Sequence, residues 1–141
     1  MKHLSVLSVL VMMTIIAASG LAAADLKVIA NSSVGTSSVS VDDLKGVFLA
    51  TKSSLSDGSH VEPVLEKGGA THEAFLKEYI GKTDTALQTY YRSLVFTGKA
   101  SMPKQLASDA EVVAYVAKTK GAIAYVSAAT STDGVKTLDV K

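Results

Sequence analysis

Two short polar turns carry the residues best able to hold a ligand. Gly68-Gly69-Ala70-Thr71 sets a glycine pair directly before apolar residues at helical spacing, Phe75, Leu76, Tyr79 and Ile80. A glycine-rich turn running into a helix exposes unpaired N–H groups at the positive end of the helix dipole, and a threonine hydroxyl there adds a donor. Such a turn suits an anion. Asn31-Ser32-Ser33 follows the apolar run Leu26 to Ala30 and offers a second set of donors. In open α/β sheets ligands collect outside the carboxyl ends of strands, and both turns are expected there. The same residues serve as well to turn the chain and cap a helix, so residue types alone leave both readings open.

Other chemistry is thinly provided. His60 and His72 fall in different elements, and neither has a second histidine at i+4 or a carboxylate at a metal-binding spacing, so no metal site is expected. His72 and Glu73, adjacent at a helix start, point about 100° apart and read as surface residues rather than an acid–base pair. The chain has no cysteine, which removes thiolate catalysis and cysteine-based metal sites. It also lacks a G-x-S-x-G elbow, a Walker A loop and a G-x-G-x-x-G turn. Neither catalysis nor a cofactor is expected.

The elements that must position these turns can be read in order. Leu26 to Ala30 reads as a buried strand, Ser40 with Asp43, Leu44, Val47 and Phe48 as a capped amphipathic helix, and His60 to Leu65 as a strand with Pro63 at one end or an edge. A helix from Thr71 stops at Gly81. Asp84 caps the next, whose stripe Leu87, Tyr90, Tyr91, Leu94 and Val95 makes the tyrosines core and core rim. Ser108-Asp109-Ala110-Glu111 spells a capping box for a helix carrying Val112, Val113 and Val116. Ala122 to Val126 is a third strand and Val135 to Val140 a fourth, at an edge. Strands alternating with helices predict one α/β domain with a mainly parallel sheet and helices on both faces. Leu44, Phe48, Phe75, Leu94, Val113, Val116 and Ile123 are the expected core.

Residues 1–24 read as a signal peptide: Lys2, an apolar stretch from Leu4 to Ala18, then Ala22-Ala23-Ala24 ahead of Asp25. Small side chains at Ala22 and Ala24 predict cleavage after Ala24, a domain of residues 25–141 and a periplasmic or secreted location. Loss of Lys2 leaves 13 basic and 13 acidic residues. A balanced, scattered charge argues against nucleic acid as a partner.

Five segments carry a resemblance: Leu44 to Lys52, Asp57-Gly58, Val61 to Val64, Gly68 to Thr71 with Glu73 to Phe75, and Gly121 to Val126. In this order they resemble the phosphate-binding proteins of ABC transporters, and in particular single-lobe relatives described as phosphate transporter substrate-binding-like proteins. The resemblance implies a single lobe of the type II periplasmic-binding-protein-like fold. It implies phosphate or a similar small oxyanion held at Gly68, Gly69, Ala70 and Thr71. In the two-lobed family this turn normally reads Gly-Ser-Gly-Thr with an arginine shortly before it; here Gly69 stands for the serine, and Leu65 and Glu66 stand where the arginine would be. A lost charge-assisted bond costs roughly 1.5–3 kcal/mol, so affinity is expected to be weak. Arg92 and Lys99 are the candidates to replace that charge. A lone lobe leaves one side of the ligand open, for a second copy or a membrane-protein partner to cover. The alternative from a different class is a protein-interaction or sensory module that keeps the fold without its ligand.

Overall fold

Alternation along the central strands decides the architecture. The computed structural model describes residues 26–141, so the signal peptide and its cleavage site lie outside the described residues. In β1 (Leu26–Ala30), Val28 and Ala30 face one hydrophobic layer while Ile29 faces another. In β5 (Ala122–Ser127), Ile123 and Tyr125 join the first layer, and Ala122, Ala124 and Val126 the second. A strand buried on both faces must be covered on both, which is why it reads as a continuous apolar run rather than an alternating one.

The first layer is covered by α1 (Val41–Phe48), α2 (Ala70–Phe75) with the wider π-helical turn that continues it (Leu76–Ile80), and α3 (Asp84–Phe96). The second is covered by α4 (Asp109–Lys118), through Val112 and Val116. Helices thus lie on both faces of the sheet. Of the expected core, Leu44, Phe48, Phe75, Val116 and Ile123 are fully buried, while Leu94 and Val113 are partly buried at its margin. The first layer is knitted by aromatic contacts: Phe75 stacks on Tyr125 with ring centroids 3.9 Å apart and meets Phe48 edge-on at 4.8 Å.

The sheet has six strands in the order β2-β6-β1-β5-β3-β4, completed by β2 (Ser38–Val39), β3 (Glu62–Glu66), β4 (Lys104–Leu106) and β6 (Lys136–Val140). It is mostly parallel. β1 alone runs against the other five, being antiparallel to both β5 and β6. One edge differs from expectation. The strand Lys136–Val140 is not at the edge, because the two-residue β2 pairs outside it. Pro63 lies at one end of its strand, one of its two expected places, although the strand is internal: it stands opposite Ile123 of β5 just before pairing with β4 begins at Val64, so its missing N–H interrupts no ladder bond on that side.

Caps define the helix starts. Ser40 Oγ accepts from Asp43 N at 3.0 Å and Ser108 Oγ from Glu111 N at 3.2 Å. Each such cap contributes about 1 kcal/mol. The cap of α3 is Thr83, whose Oγ1 accepts from Ala86 N at 3.2 Å, rather than Asp84, which is the first helical residue and is freed for another contact.

Candidate functional site

The carboxyl ends of β3, β4 and β5 lie side by side. From β3 the chain passes through Lys67, Gly68 and Gly69 into α2 on one face of the sheet. From β4 it passes through Ala107 and Ser108 into α4 on the other face. Neighbouring strands whose connections leave to opposite faces open a crevice outside their carboxyl ends. Lys67 N donates to Leu106 O at 2.9 Å and holds the two exits together.

Gly68, Gly69 and Ala70 are exposed in this crevice and Thr71 is half-buried. Gly69, the N-cap of α2, sits at φ 96° and ψ 172°, a backbone region that is essentially confined to glycine. Its place is therefore set by the backbone. The first bond of the helix runs from Glu73 N to Gly69 O. The amides of Ala70, Thr71 and His72, together with the Thr71 hydroxyl, have no hydrogen-bond acceptor among the described residues. These are the orphan donors that every helix start carries, here behind an exposed turn. Lys67, exposed at the base of the turn, is a cation that spacing alone had not singled out.

Behind the turn the side chains are buried. His72 is fully buried, not a surface residue as its position beside Glu73 suggested. Its Nε2 donates to Asp84 Oδ1 at 2.8 Å, and its Nδ1 accepts from the Tyr125 hydroxyl, which in turn accepts from Glu66 N at 3.0 Å. Burial pushes the Tyr125 hydroxyl far up from its ordinary value, so it keeps its proton and is the donor toward Nδ1. The roles of both histidine nitrogens follow from this network. One chain of bonds thereby ties α3, α2, β5 and the end of β3 together.

The Glu66 side chain faces the other way, toward α4. It is 5% exposed, and its Oε1 is buried with no hydrogen-bond partner among the described residues. Burial, and then the neighbouring Asp109 carboxyl, raise Glu66 to about 8. Asp109 is held below the usual carboxylate range by the neighbouring Glu66 carboxyl, with support from the Thr130 hydroxyl at 2.9 Å and Ser127 N at 3.4 Å.

The other nominated residues lie elsewhere. Asn31 is buried and its amide is used up: Nδ2 donates to Val116 O at 2.7 Å and Ala117 O at 3.2 Å, and Oδ1 accepts from Ser33 N at 2.9 Å. Ser33 Oγ accepts from Gly121 N at 3.0 Å, and Ser32 is exposed beside them. These three residues sit at the last turn of α4, whereas Glu66 and Gly68 to Thr71 sit by its first turn, about 15 Å away along a ten-residue helix. They do not share a rim with the glycine turn, because β1 runs opposite to β3 and its carboxyl end meets the amino end of β5. Arg92 is exposed, two turns along α3 from Asp84, roughly 12 Å by helical rise. Lys99 lines a separate cleft of about 600 Å³ with Lys52, Pro63, Met102 and Lys104, at the amino ends of β3 and β4. Neither cation stands at the glycine turn.

The same fold recurs as about half of longer solved proteins. Three solved structures share it: an ABC-type phosphate transport receptor from Vibrio cholerae, at TM-score 0.54 and 12% identity over 82% of this chain and 46% of that one; a phosphate ABC transporter substrate-binding protein with bound phosphate from Clostridium perfringens, at 0.62 and 16% over 82% and 44%; and PstS from Borrelia burgdorferi, at 0.63 and 12% over 83% and 47%. The chain spans under half the length of these structures. No family model matches the sequence, and no curated protein does.

Proposed function

We propose that this chain is an exported, single-lobe binding protein for phosphate or a similar small oxyanion, without catalysis. The observation that carries the reading is the crevice between the ends of β3 and β4, into which the unpaired amides of Ala70, Thr71 and His72 and the Thr71 hydroxyl open. Such donors at a helix start favour negative charge. A solved neighbour with the same fold holds phosphate. In this reading the protein works in the periplasm or outside the cell, beginning at Asp25, as a supply partner of a membrane component. No described helix is long and apolar enough to cross a membrane.

One lobe contacts only one side of an anion, and water competes for the rest. A few exposed hydrogen bonds set against the entropy of association support a dissociation constant of order 1 mM, about −4 kcal/mol. Calorimetry of the full chain with phosphate and sulfate, for the parent and for Thr71→Val, measures it. Binding in the millimolar range that weakens several-fold in Thr71→Val supports the reading, and equal binding by both proteins places the site elsewhere. Affinity that rises with protein concentration means that a second copy covers the open side.

A module for protein interaction or sensing is the second reading, and one observation favours it: the strand that leads into the glycine turn ends on the carboxyl of Glu66 rather than on a cation. If no anion binds at tens of millimolar, this reading replaces the first.

A further inference from the structure

We propose that the end of α3 and the loop after it form a docking surface for an anionic lipid bilayer, with Phe96 entering the headgroup boundary and Arg92, Lys99 and Lys104 meeting lipid phosphates. This surface lies toward the amino ends of β3 and β4, away from the glycine turn, and the proposal holds whether or not that turn takes an anion.

Phe96 is 93% exposed, the last residue of a helix whose two tyrosines are tied inward, Tyr90 to Leu49 O and Tyr91 to Phe48 O. It is not on a frayed end. Thr97 N donates to Ser93 O at 3.0 Å and Lys99 N to Leu94 O at 2.8 Å, and Gly98 turns the chain at φ 72°, a left-handed conformation that suits glycine. Leu94 packs against the core, and two further residues at about 100° each carry Phe96 round to the outer face, which it shares with the exposed Arg92 four residues earlier. Folding thus holds the ring in water. The described residues expose four large apolar side chains, and three of them, Val95, Phe96 and Met102, fall within eight positions. Exposed apolar groups gathered in this way mark a contact surface.

The charge around them has one sign. From Thr85 to Ser108 the chain carries Arg92, Lys99 and Lys104 and no acid, so the rest of residues 25–141 holds three more acids than bases. None of these cations has an ion-pair partner among the described residues. Lys104 Nζ stands 5.6 Å from the centre of the Tyr115 ring, in the cleft that Lys99 also lines. Lys52, the third lysine of that cleft, is answered by Asp43 at 2.5 Å, and Glu62 is the one acid among the lining residues. A positive end on a balanced domain turns toward a negative surface. Two copies meeting here would set like charges against each other. A folded protein partner calls for a broad, shaped contact with set polar partners, whereas these cations are long, unpaired side chains around a few projecting apolar ones. That combination fits mobile anionic headgroups above a hydrocarbon boundary.

The chain contains no tryptophan, so Phe96→Trp places a single reporter on this surface. Fluorescence of the full chain is read with vesicles of phosphatidylcholine alone and with vesicles of seven parts phosphatidylcholine to three of phosphatidylglycerol, each carrying brominated acyl chains. Ala129→Trp, in the exposed turn after the carboxyl end of β5, is the control for lipid binding by residues 1–24 or by another face. On the anionic vesicles Phe96→Trp should shift to the blue and be quenched, and Ala129→Trp should do neither. A cation near the surface adds about fivefold to binding, so Lys99→Gln together with Lys104→Gln in the Phe96→Trp protein should weaken it about 25-fold. Salt at 0.5 M should weaken it too. An unchanged Phe96→Trp spectrum overturns the proposal, as does quenching that is equal on neutral vesicles or survives the lysine changes. Quenching of Ala129→Trp as strong as that of Phe96→Trp assigns the contact elsewhere and overturns it also. A blue shift that grows with protein concentration in the absence of vesicles means that a second copy covers Phe96, and a shift caused by soluble polyglutamate but not by vesicles means that an acidic protein does. Either result replaces the bilayer.

Discussion

His72 Nε2 donates to Asp84 Oδ1 at 2.8 Å, with the imidazole 1% exposed and the carboxylate 44% exposed. The pair joins the short helix behind the glycine turn to the first residue of α3, and its inner end reaches Glu66 N through the Tyr125 hydroxyl. Replacing His72 by Phe fills the space but strands the Tyr125 hydroxyl and removes both bonds, an expected loss of about 2–3 kcal/mol. Asp84→Asn retains an acceptor oxygen on a partly exposed residue and should cost about 1 kcal/mol or less. Urea unfolding midpoints of the two variants test the difference.

Tyr125 contributes packing and a hydroxyl, and the two can be separated. Tyr125→Phe keeps the ring stacked on Phe75 while leaving Glu66 N–H without its buried acceptor, at an expected cost of about 1–3 kcal/mol. Tyr125→Ala also empties the middle of the first core layer and should cost about 3–5 kcal/mol or prevent folding. Equal losses in the two variants would mean that the hydroxyl network adds nothing to stability.

Glu66 predicts a stability that falls toward alkaline pH. Its native carboxyl is raised from 4.5 to about 8, so between these values the folded protein holds a proton that the unfolded chain has released. The unfolded state then binds fewer protons, and stability falls with rising pH. The contribution is full below about pH 4.5 and gone above about pH 8. Denaturant unfolding from pH 4 to 10 should show the parent losing stability relative to Glu66→Gln through this window and levelling off above it. Asp109, lowered in the native protein, acts in the opposite sense at the acid end.

Gly69 tests whether the turn lacks only a serine. Because φ 96° with ψ 172° excludes side chains, Gly69→Ser should cost about 1–3 kcal/mol, although open space surrounds its Cβ position. The added hydroxyl should therefore not tighten anion binding. A stable Gly69→Ser protein with tenfold stronger phosphate binding by calorimetry would show that the turn reshapes at little cost.

What the sequence determined by itself is local. The Ser40 and Ser108 caps, the Gly81 stop and the burial of Phe48, Phe75 and Val116 are written in spans of ten residues or fewer, where side-chain period and backbone capping act directly. The glycine turn at a helix start was legible for the same reason. The direction of β1 was not, because an apolar run packs equally well in either sense, and its reversal is what carries Asn31, Ser32 and Ser33 to the far end of the sheet from Gly68 to Thr71. The two-residue β2 and three-residue β4 are too short to show a period and exist because a neighbouring edge pairs them. The burial of His72 was invisible too: its partner Tyr125 is 53 residues away, and a histidine goes inside only where a distant hydroxyl and carboxylate meet both of its nitrogens. Glu66 and Asp109 came from different strand-to-helix connections, and only the packing of β3 against β4, with their helices leaving on opposite faces, made the two carboxyls neighbours.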